Sequence, residues 1–277
     1  MTLADSPQTQ LATARRRPPT SVVTSRASRR SVLKHLFPFD VAVVGLGRVG
    51  LLTALAHHRA GSRVLALDVP APSRAPDDVG PAGQDLLRLA TTLGLDTFTV
   101  SPDLARAGDA RAVVVCGPTP DDDDAPDVEL LRALCAVVVD QAVPGQLILL
   151  TSTAYVGCTE DLLVKPLRDR GLEPGSSVHV AFSARRRIGG RGATAKEAGP
   201  RVVAGWTSAS AQRAAQLVGR CEQEVHVVRT LGTAELTKLL DDTYRAVGVA
   251  LDDEFDRIAP GVDTVRGSTS TTAGDTA

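Results

Sequence analysis

The chain has 277 residues, 43% hydrophobic and 23% charged, with a formal net charge of −1. That is the profile of an ordinary soluble globular protein with room for one large domain and part of a second. Aromatics at 3% with a single Trp exclude a stacking-based single-strand nucleic-acid binder, and the charge is too uneven for a nucleic-acid footprint on the folded part: residues 1–39 carry +6, leaving −7 on the rest.

Residues 1–38 are rich in Ser, Thr, Pro, Arg and Gln without a sustained period, which predicts a disordered basic tail. Its Arg-rich, acid-poor character also suits a transit peptide, beside the plainer reading of a solvated tail. Apolar runs then predict strands at Asp40–Gly45, Arg63–Val69, Thr97–Val100 and Arg111–Cys116, followed by Gln146–Ser152, Val178–Phe182, Arg201–Gly205 and Glu224–Val228. The first few are near-continuous Val/Leu/Ala segments, as strands covered on both faces are. Helical patterns fall between them at Gly50–Ala60, Ala82–Leu93, Asp127–Ala142, Thr159–Arg170 and Ser208–Cys221. Strand–helix alternation predicts an α/β fold with a doubly wound, parallel, Rossmann-type sheet.

A long helix over Thr233–Ile258 follows, with Thr233, supported by Glu235, as its expected N-cap. Leu236, Leu240, Tyr244, Val247, Leu251, Phe255 and Ile258 recur every three or four residues as one apolar ridge, with Lys238, Asp242 and Arg245 across the wheel. Such a helix connects two bodies or packs on a partner. The expected organisation is a tail over 1–38, a dinucleotide-binding domain over 39–230, a central helix over 231–259 and a second disordered tail over 260–277. None of Cys116, Cys135, Cys158 and Cys221 lies in a C-x-x-C pair or at zinc-ligand spacing, so the expectation is no metal, a reducing compartment and a cytoplasmic location. No apolar run reaches the ~18 residues of a membrane span.

The chemistry-bearing motif is Gly45-Leu46-Gly47-Arg48-Val49-Gly50, between a Val-rich strand and a helix. Gly45 permits a tight turn, Gly47 lets backbone approach a pyrophosphate, and Gly50 allows close helix–strand packing. The helix N-terminus, at Arg48 and Val49, offers N–H groups to phosphates. Asp68, ending the second strand, would accept from ribose hydroxyls and repel a 2′-phosphate, so the expected cofactor is NAD rather than NADP. A glycine turn without a ligand is the plainer alternative.

From Asp40 to about Ala259 the chain resembles the UDP-glucose/GDP-mannose 6-dehydrogenase family. The resemblance rests on five blocks in order: DVAVVGLGRVGLLTALA, VVVCGPTPDDDDAPDVELL, LTSTAYVGCTEDLL, VAFSARRRIGG and AELTKLLDDTYRAVGVALDDE. In that family NAD oxidises a nucleotide-sugar C6 alcohol to an aldehyde, a cysteine captures it as a thiohemiacetal, and a second NAD and water yield the uronic acid. The resemblance implies that Pro118, Thr119 and Pro120 pass beside the cofactor, unless they form a simple turn. Thr153 would lie at the cofactor and position the reacting centre and its water. Lys238 would stabilise developing oxyanion charge, with Asp242 beside it, unless the two are only a solvated i,i+4 pair.

The sequence departs from the family pattern at several positions. Ala184 and Arg185 stand in place of a Pro-Glu pair, and Asp242, Gly248 and Asp253 in place of helix asparagines. Pairing with Asp242 would weaken the field of Lys238. The family's Gly-Gly-x-Cys-x-x-x-Asp nucleophile segment and C-terminal nucleotide-binding domain have no counterpart after Ile258. Cys158, at a helix start where the dipole could lower a thiol pKa, is the cysteine nearest the implied active-site residues, but the resemblance aligns it with an ordinary Thr, so it is not expected to be the nucleophile. The expected function is therefore an incomplete NAD-dependent nucleotide-sugar 6-dehydrogenase. The alternative is a catalytically inactive NAD-binding paralogue or a half-enzyme needing a second chain. The expected partners are NAD, a nucleotide sugar, and either a second copy through the long helix or a complementing chain, with neither nucleic acid nor membrane.

Overall fold

The structure is a computed structural model that describes residues 37–68, 97–117, 121–122, 125–126, 128–152, 154–184 and 200–258. The expected tails and the helix at Ala82–Leu93 lie outside them. In chain order come β1 (Phe39–Val44), α1 (Arg48–Arg59), β2 (Val64–Leu67), β3 (Phe98–Ser101) and, after a 3-10 turn at Leu104–Asp109, β4 (Ala110–Val115). A small antiparallel ladder, β5 (Asp121–Asp122) with β6 (Ala125–Pro126), precedes α2 (Glu129–Gln141) and β7 (Leu147–Leu150). Then follow a π-turn (Glu160–Val164), α3 (Lys165–Asp169), β8 (His179–Ala184), β9 (Arg201–Gly205), α4 (Ser208–Val218), β10 (Val225–Val227) and α5 (Leu231–Ile258).

Eight strands form one sheet in the order β10-β9-β8-β7-β4-β1-β2-β3. The chain winds outward both ways from the β1–β4 pair, where Val44 faces Leu67 on one side and Val115 on the other. Both sheet faces are covered, which is why Val41–Val44, Val64–Leu67, Ala112–Val115 and Leu147–Leu150 are unbroken apolar runs. Val41 and Val43 join the layer under α1 and α4, whereas Ala42 and Val44 join the layer containing Leu131, Leu134 and Val138 of α2.

The doubly wound, Rossmann-type sheet is mostly parallel, as expected, with one antiparallel pairing. β9 runs antiparallel to β8, with Phe182 opposite Ala204, and β10 is parallel to β9. A parallel return requires a crossover, usually helical. The sequence between β8 and β9 shows no helical pattern, whereas α4 supplies one between β9 and β10.

Two helix starts also differ from expectation. The segment expected as one helix from Thr159 widens into the π-turn before α3, because Pro166 has no N–H to donate and its ring crowds the preceding turn. Helix α5 starts at Leu231 rather than Thr233: Thr230 is the capping side chain, its Oγ1 accepting from Thr233 N at 3.1 Å.

Candidate functional site

The strand order reverses between β1 and β4, and in open α/β sheets a crevice for ligands opens at the carboxyl ends of such a pair. The Gly45–Gly50 turn lies there. Gly45 has φ +88°, and a Cβ on it would stand 2.6 Å from the Cys116 carbonyl oxygen. A Cβ on Gly50 would stand 1.8 Å from the Gly45 carbonyl oxygen and 3.2 Å from Cys116 Cβ. The turn is thus a backbone cradle that side chains would fill.

Gly47 flanks the first turn of α1, which contains no acidic residue and no side-chain cap. Arg48 opens that turn and Val49 is exposed, and no side-chain cap takes up the free N–H groups at this helix start. Asp68, just past β2, reaches back to this turn: its Oδ1 accepts from Leu46 N at 3.3 Å. The described candidates Gly45, Gly47, Arg48, Val49, Gly50 and Asp68 are therefore gathered at one strand edge.

A chain of contacts leads from the turn to α5. Cys116 N donates to Val44 O at 2.8 Å, and beside it Ser152 Oγ donates to Gly117 O at 2.5 Å. Thr151 Oγ1 donates to Val115 O at 2.8 Å, so the end of β7 is laced to the end of β4. Farther along that loop, Glu235 of α5 accepts from Gly157 N at 2.6 Å, Thr159 N at 2.9 Å and Thr159 Oγ1 at 2.6 Å. Glu235 is fully buried and satisfies N–H groups at the start of a helical segment, where a carboxylate is favoured. Sequence reasoning gave it only a supporting part in capping its own helix, because its real partners are 76–78 residues away.

One turn beyond Glu235, Lys238 is paired with Asp242, which also accepts from Arg245 at 2.8 Å; Arg245 bonds Asp241 at 3.2 Å as well. Burial pushes the Asp242 carboxyl up, but the hydrogen bond and charge of Lys238, aided by Arg245, outweigh it and hold it below the ordinary 3.8. The lysine is thereby engaged inside its own helix. The helix turns Ala234, Glu235 and Lys238 inward, and its first half packs on β8 and β9. The apolar ridge faces out, with Tyr244, Val247 and Leu251 all more than half exposed.

The Cys158 thiol shifts opposite to the direction that a helix start alone would give. Burial, joined by the nearby Glu235 carboxylate, raises its thiol to about 11, because a low-dielectric site beside a negative charge disfavours a thiolate. Cys116 and Cys135 are buried core residues, and burial lifts Cys135 to about 12. Thr153, Pro118, Thr119, Pro120 and Arg185 lie outside the described residues.

Comparison with known proteins gives a consistent result. Residues 39–220 match the family described as UDP-glucose/GDP-mannose dehydrogenase family, NAD binding domain. The chain is 27% identical over 223 residues to a UDP-N-acetyl-D-mannosamine dehydrogenase of Pyrococcus horikoshii, covering 79% of this chain and 53% of that protein. It is 28% identical to an NDP-N-acetyl-D-galactosaminuronic acid dehydrogenase of Ralstonia solanacearum, covering 79% and 54%. Among solved structures it resembles the P. horikoshii UDP-D-ManNAc dehydrogenase with TM-score 0.64 at 26% identity, covering 79% of this chain and 53% of that one. A Methanosarcina mazei NDP-N-acetyl-D-galactosaminuronic acid dehydrogenase follows with TM-score 0.63 at 25% identity, covering 83% and 52%. The chain spans about half the length of these relatives. Among the described residues no helix is long and apolar enough to cross a membrane.

Proposed function

Because this chain belongs to the UDP-glucose/GDP-mannose dehydrogenase family and residues 39–220 match its NAD-binding domain, we propose that it binds NAD at the Gly45–Gly50 turn and serves as the cofactor half of a nucleotide-sugar oxidoreductase. The observation that carries this reading is the Gly50–Gly45 contact, a backbone cradle at the switch point with the Asp68 carboxylate alongside. Gly45, Gly47, Gly50 and the N–H groups at Arg48 and Val49 would hold the pyrophosphate, Asp68 the ribose hydroxyls, and Pro118, Thr119 and Thr153 the nicotinamide side. When bound, NAD supplies the two-electron acceptor for oxidation of a sugar alcohol. The natural sugar would be one of those the relatives act on. Residues 39–230 form the cofactor domain in this reading, and 231–259 the stem of a second body.

Titration calorimetry tests the proposal. The wild type takes up NAD in preference to NADP. Asp68→Asn loses ~1.5–3 kcal/mol of NAD binding, the range for a hydrogen bond to a charged group, and relaxes the rejection of NADP. Equal wild-type affinity for the two nucleotides overturns the assignment of Asp68.

Lys238, Thr153 and Asp242 are the catalytic candidates, with Lys238 as the fixed cation at an oxyanion. Asp242 already occupies that cation, and Cys158 is held protonated. Those two observations support the half-enzyme reading. The purified chain is expected to form no NADH with UDP-glucose, UDP-N-acetylhexosamines or GDP-mannose over hours, since one lost electrostatic contact alone costs ~10²–10³ in rate. Two NADH released per sugar, measured by absorbance with product analysis, contradicts this.

The exposed ridge of α5 is proposed to bury itself against a second copy or a complementing chain, because an apolar stripe of this length rarely faces water. Leu251, 55% exposed, would sit inside that contact. Leu251→Asp is expected to convert a sedimenting dimer to monomer. A wild type that sediments as a monomer at high concentration rules out the self-association.

A further inference from the structure

On the sheet face beneath α1 and α4, a narrow cleft opens between α1 and the segment after α4. Thr53, His57, Val114, Leu149, Arg201 and Cys221 line it, and its free space of about 20 Å³ matches one water-sized molecule. Cys221 Sγ lies 3.3 Å from His57 Nδ1. Cys221 is the partly exposed cysteine, whereas Cys116, Cys135 and Cys158 are buried. We propose that Cys221 and His57 form a thiol–imidazole pair that is an oxidation site for small hydroperoxides.

The surroundings fix the state of the imidazole beside the thiol. Burial first, then the charges of Arg201 and Arg220, pull His57 down to about 4, so its ring is neutral near pH 7. A neutral ring carrying its proton on Nδ1 donates to the sulfur without being charged. Burial opposes a thiolate as it opposes an imidazolium, while the two guanidinium groups would meet a charge on the sulfur with one of opposite sign. Glu222, which also lines the cleft, accepts from Arg201 Nη1 at 3.1 Å, and Arg201 Nε donates to Ser183 Oγ at 3.0 Å. The arginine is thereby fixed on the cleft wall, and the carboxylate is tied to it. In the reaction the thiol gives its proton to water, the thiolate sulfur attacks one peroxide oxygen, and the O–O bond breaks. The departing hydroxide, or alkoxide from an organic hydroperoxide, recovers a proton as water or alcohol, and the oxygen that was attacked stays on sulfur, leaving Cys221 as a sulfenic acid.

The test treats the whole reduced chain with hydrogen peroxide and dimedone at pH 7 and maps the adducts by mass spectrometry. Cys221 is expected to label at least about tenfold faster than the other three thiols, the factor that one unit of thiol pKa gives in thiolate fraction. His57→Phe slows it, and His57→Asn, which retains an N–H near the sulfur, restores it. The rate for wild-type Cys221 rises through a midpoint below the ordinary thiol value of about 8.5, a readout that requires no variant to fold. Labelling of Cys221 no faster than Cys116, Cys135 and Cys158, a wild-type rate in a folded His57→Phe, or a midpoint at or above the ordinary value overturns the proposal.

Discussion

Replacing Gly50 by valine is expected to eliminate NAD binding outright. The first added carbon would stand 1.8 Å from the Gly45 carbonyl oxygen and 2.9 Å from its carbon. Both obstacles are backbone, so no rotamer relieves the contact. Gly45 has little room to retreat, since even a Cβ on it would stand 2.6 Å from the Cys116 carbonyl oxygen, and its φ of +88° holds the turn. The start of α1 must therefore back away from β1, carrying off the N–H groups that would meet the pyrophosphate. Overpacking of this kind costs ~1–3 kcal/mol and sometimes more. Calorimetry should show no NAD heat at millimolar nucleotide, with a lowered melting temperature. Gly61→Ala is the control: its φ is also positive, at +80°, but nothing lies within 4 Å of the new carbon. That variant should lose ~1–2 kcal/mol from backbone strain and still bind NAD. Wild-type NAD affinity in Gly50→Val would show that the turn is not the cofactor cradle.

Glu235→Ala should be among the most destabilising single changes in the chain. The carboxylate is fully buried and receives Gly157 N–H, Thr159 N–H and Thr159 O–H, with Cys158 Sγ at 3.5 Å. Truncation strands these donors away from water, and a stranded buried donor costs ~1–3 kcal/mol. A total of about 3–5 kcal/mol follows after partial relaxation, which lowers the melting temperature by roughly 10 °C for a chain of this size. Glu235→Gln should fall between, because its amide nitrogen turns a donor toward donors. The consequence reaches the candidate site, since Lys238 stands one turn along the helix that Glu235 pins to the loop after β7. An alanine variant melting within about 2 °C of wild type would mean that water takes over the carboxylate's hydrogen bonds, which a fully buried position does not permit.

The glycine turn was legible because its determinants are local. Gly45, Gly47 and Gly50 act within six residues, and Asp68 is placed by one strand–helix–strand unit whose geometry is nearly fixed. The Lys238–Asp242 pair was legible for the same reason, as one helical turn separates the partners. The raised pKa of the Cys158 thiol was not legible, because a helix start by itself points to a lowered one. The carboxylate from α5 and the burial that reverse this come from residues remote in the chain. The cap of α5 moved to Thr230 because Thr230 and Thr233 carry equivalent hydroxyls, and only the path of the chain out of β10 selects between them.

Taken alone, the sequence determined the α/β alternation, the strands covered on both faces, the cofactor turn and the exposed ridge of the long helix, all of which follow from periodicity and short-range sterics. Only the tertiary structure decided that β9 runs antiparallel, that Glu235 joins α5 to the loop after β7, and that His57 meets Cys221 across 164 residues. Backbone periodicity specifies which face of an element is apolar. It carries no information about which distant side chain arrives there, because that choice is made when buried polar groups must find partners during packing.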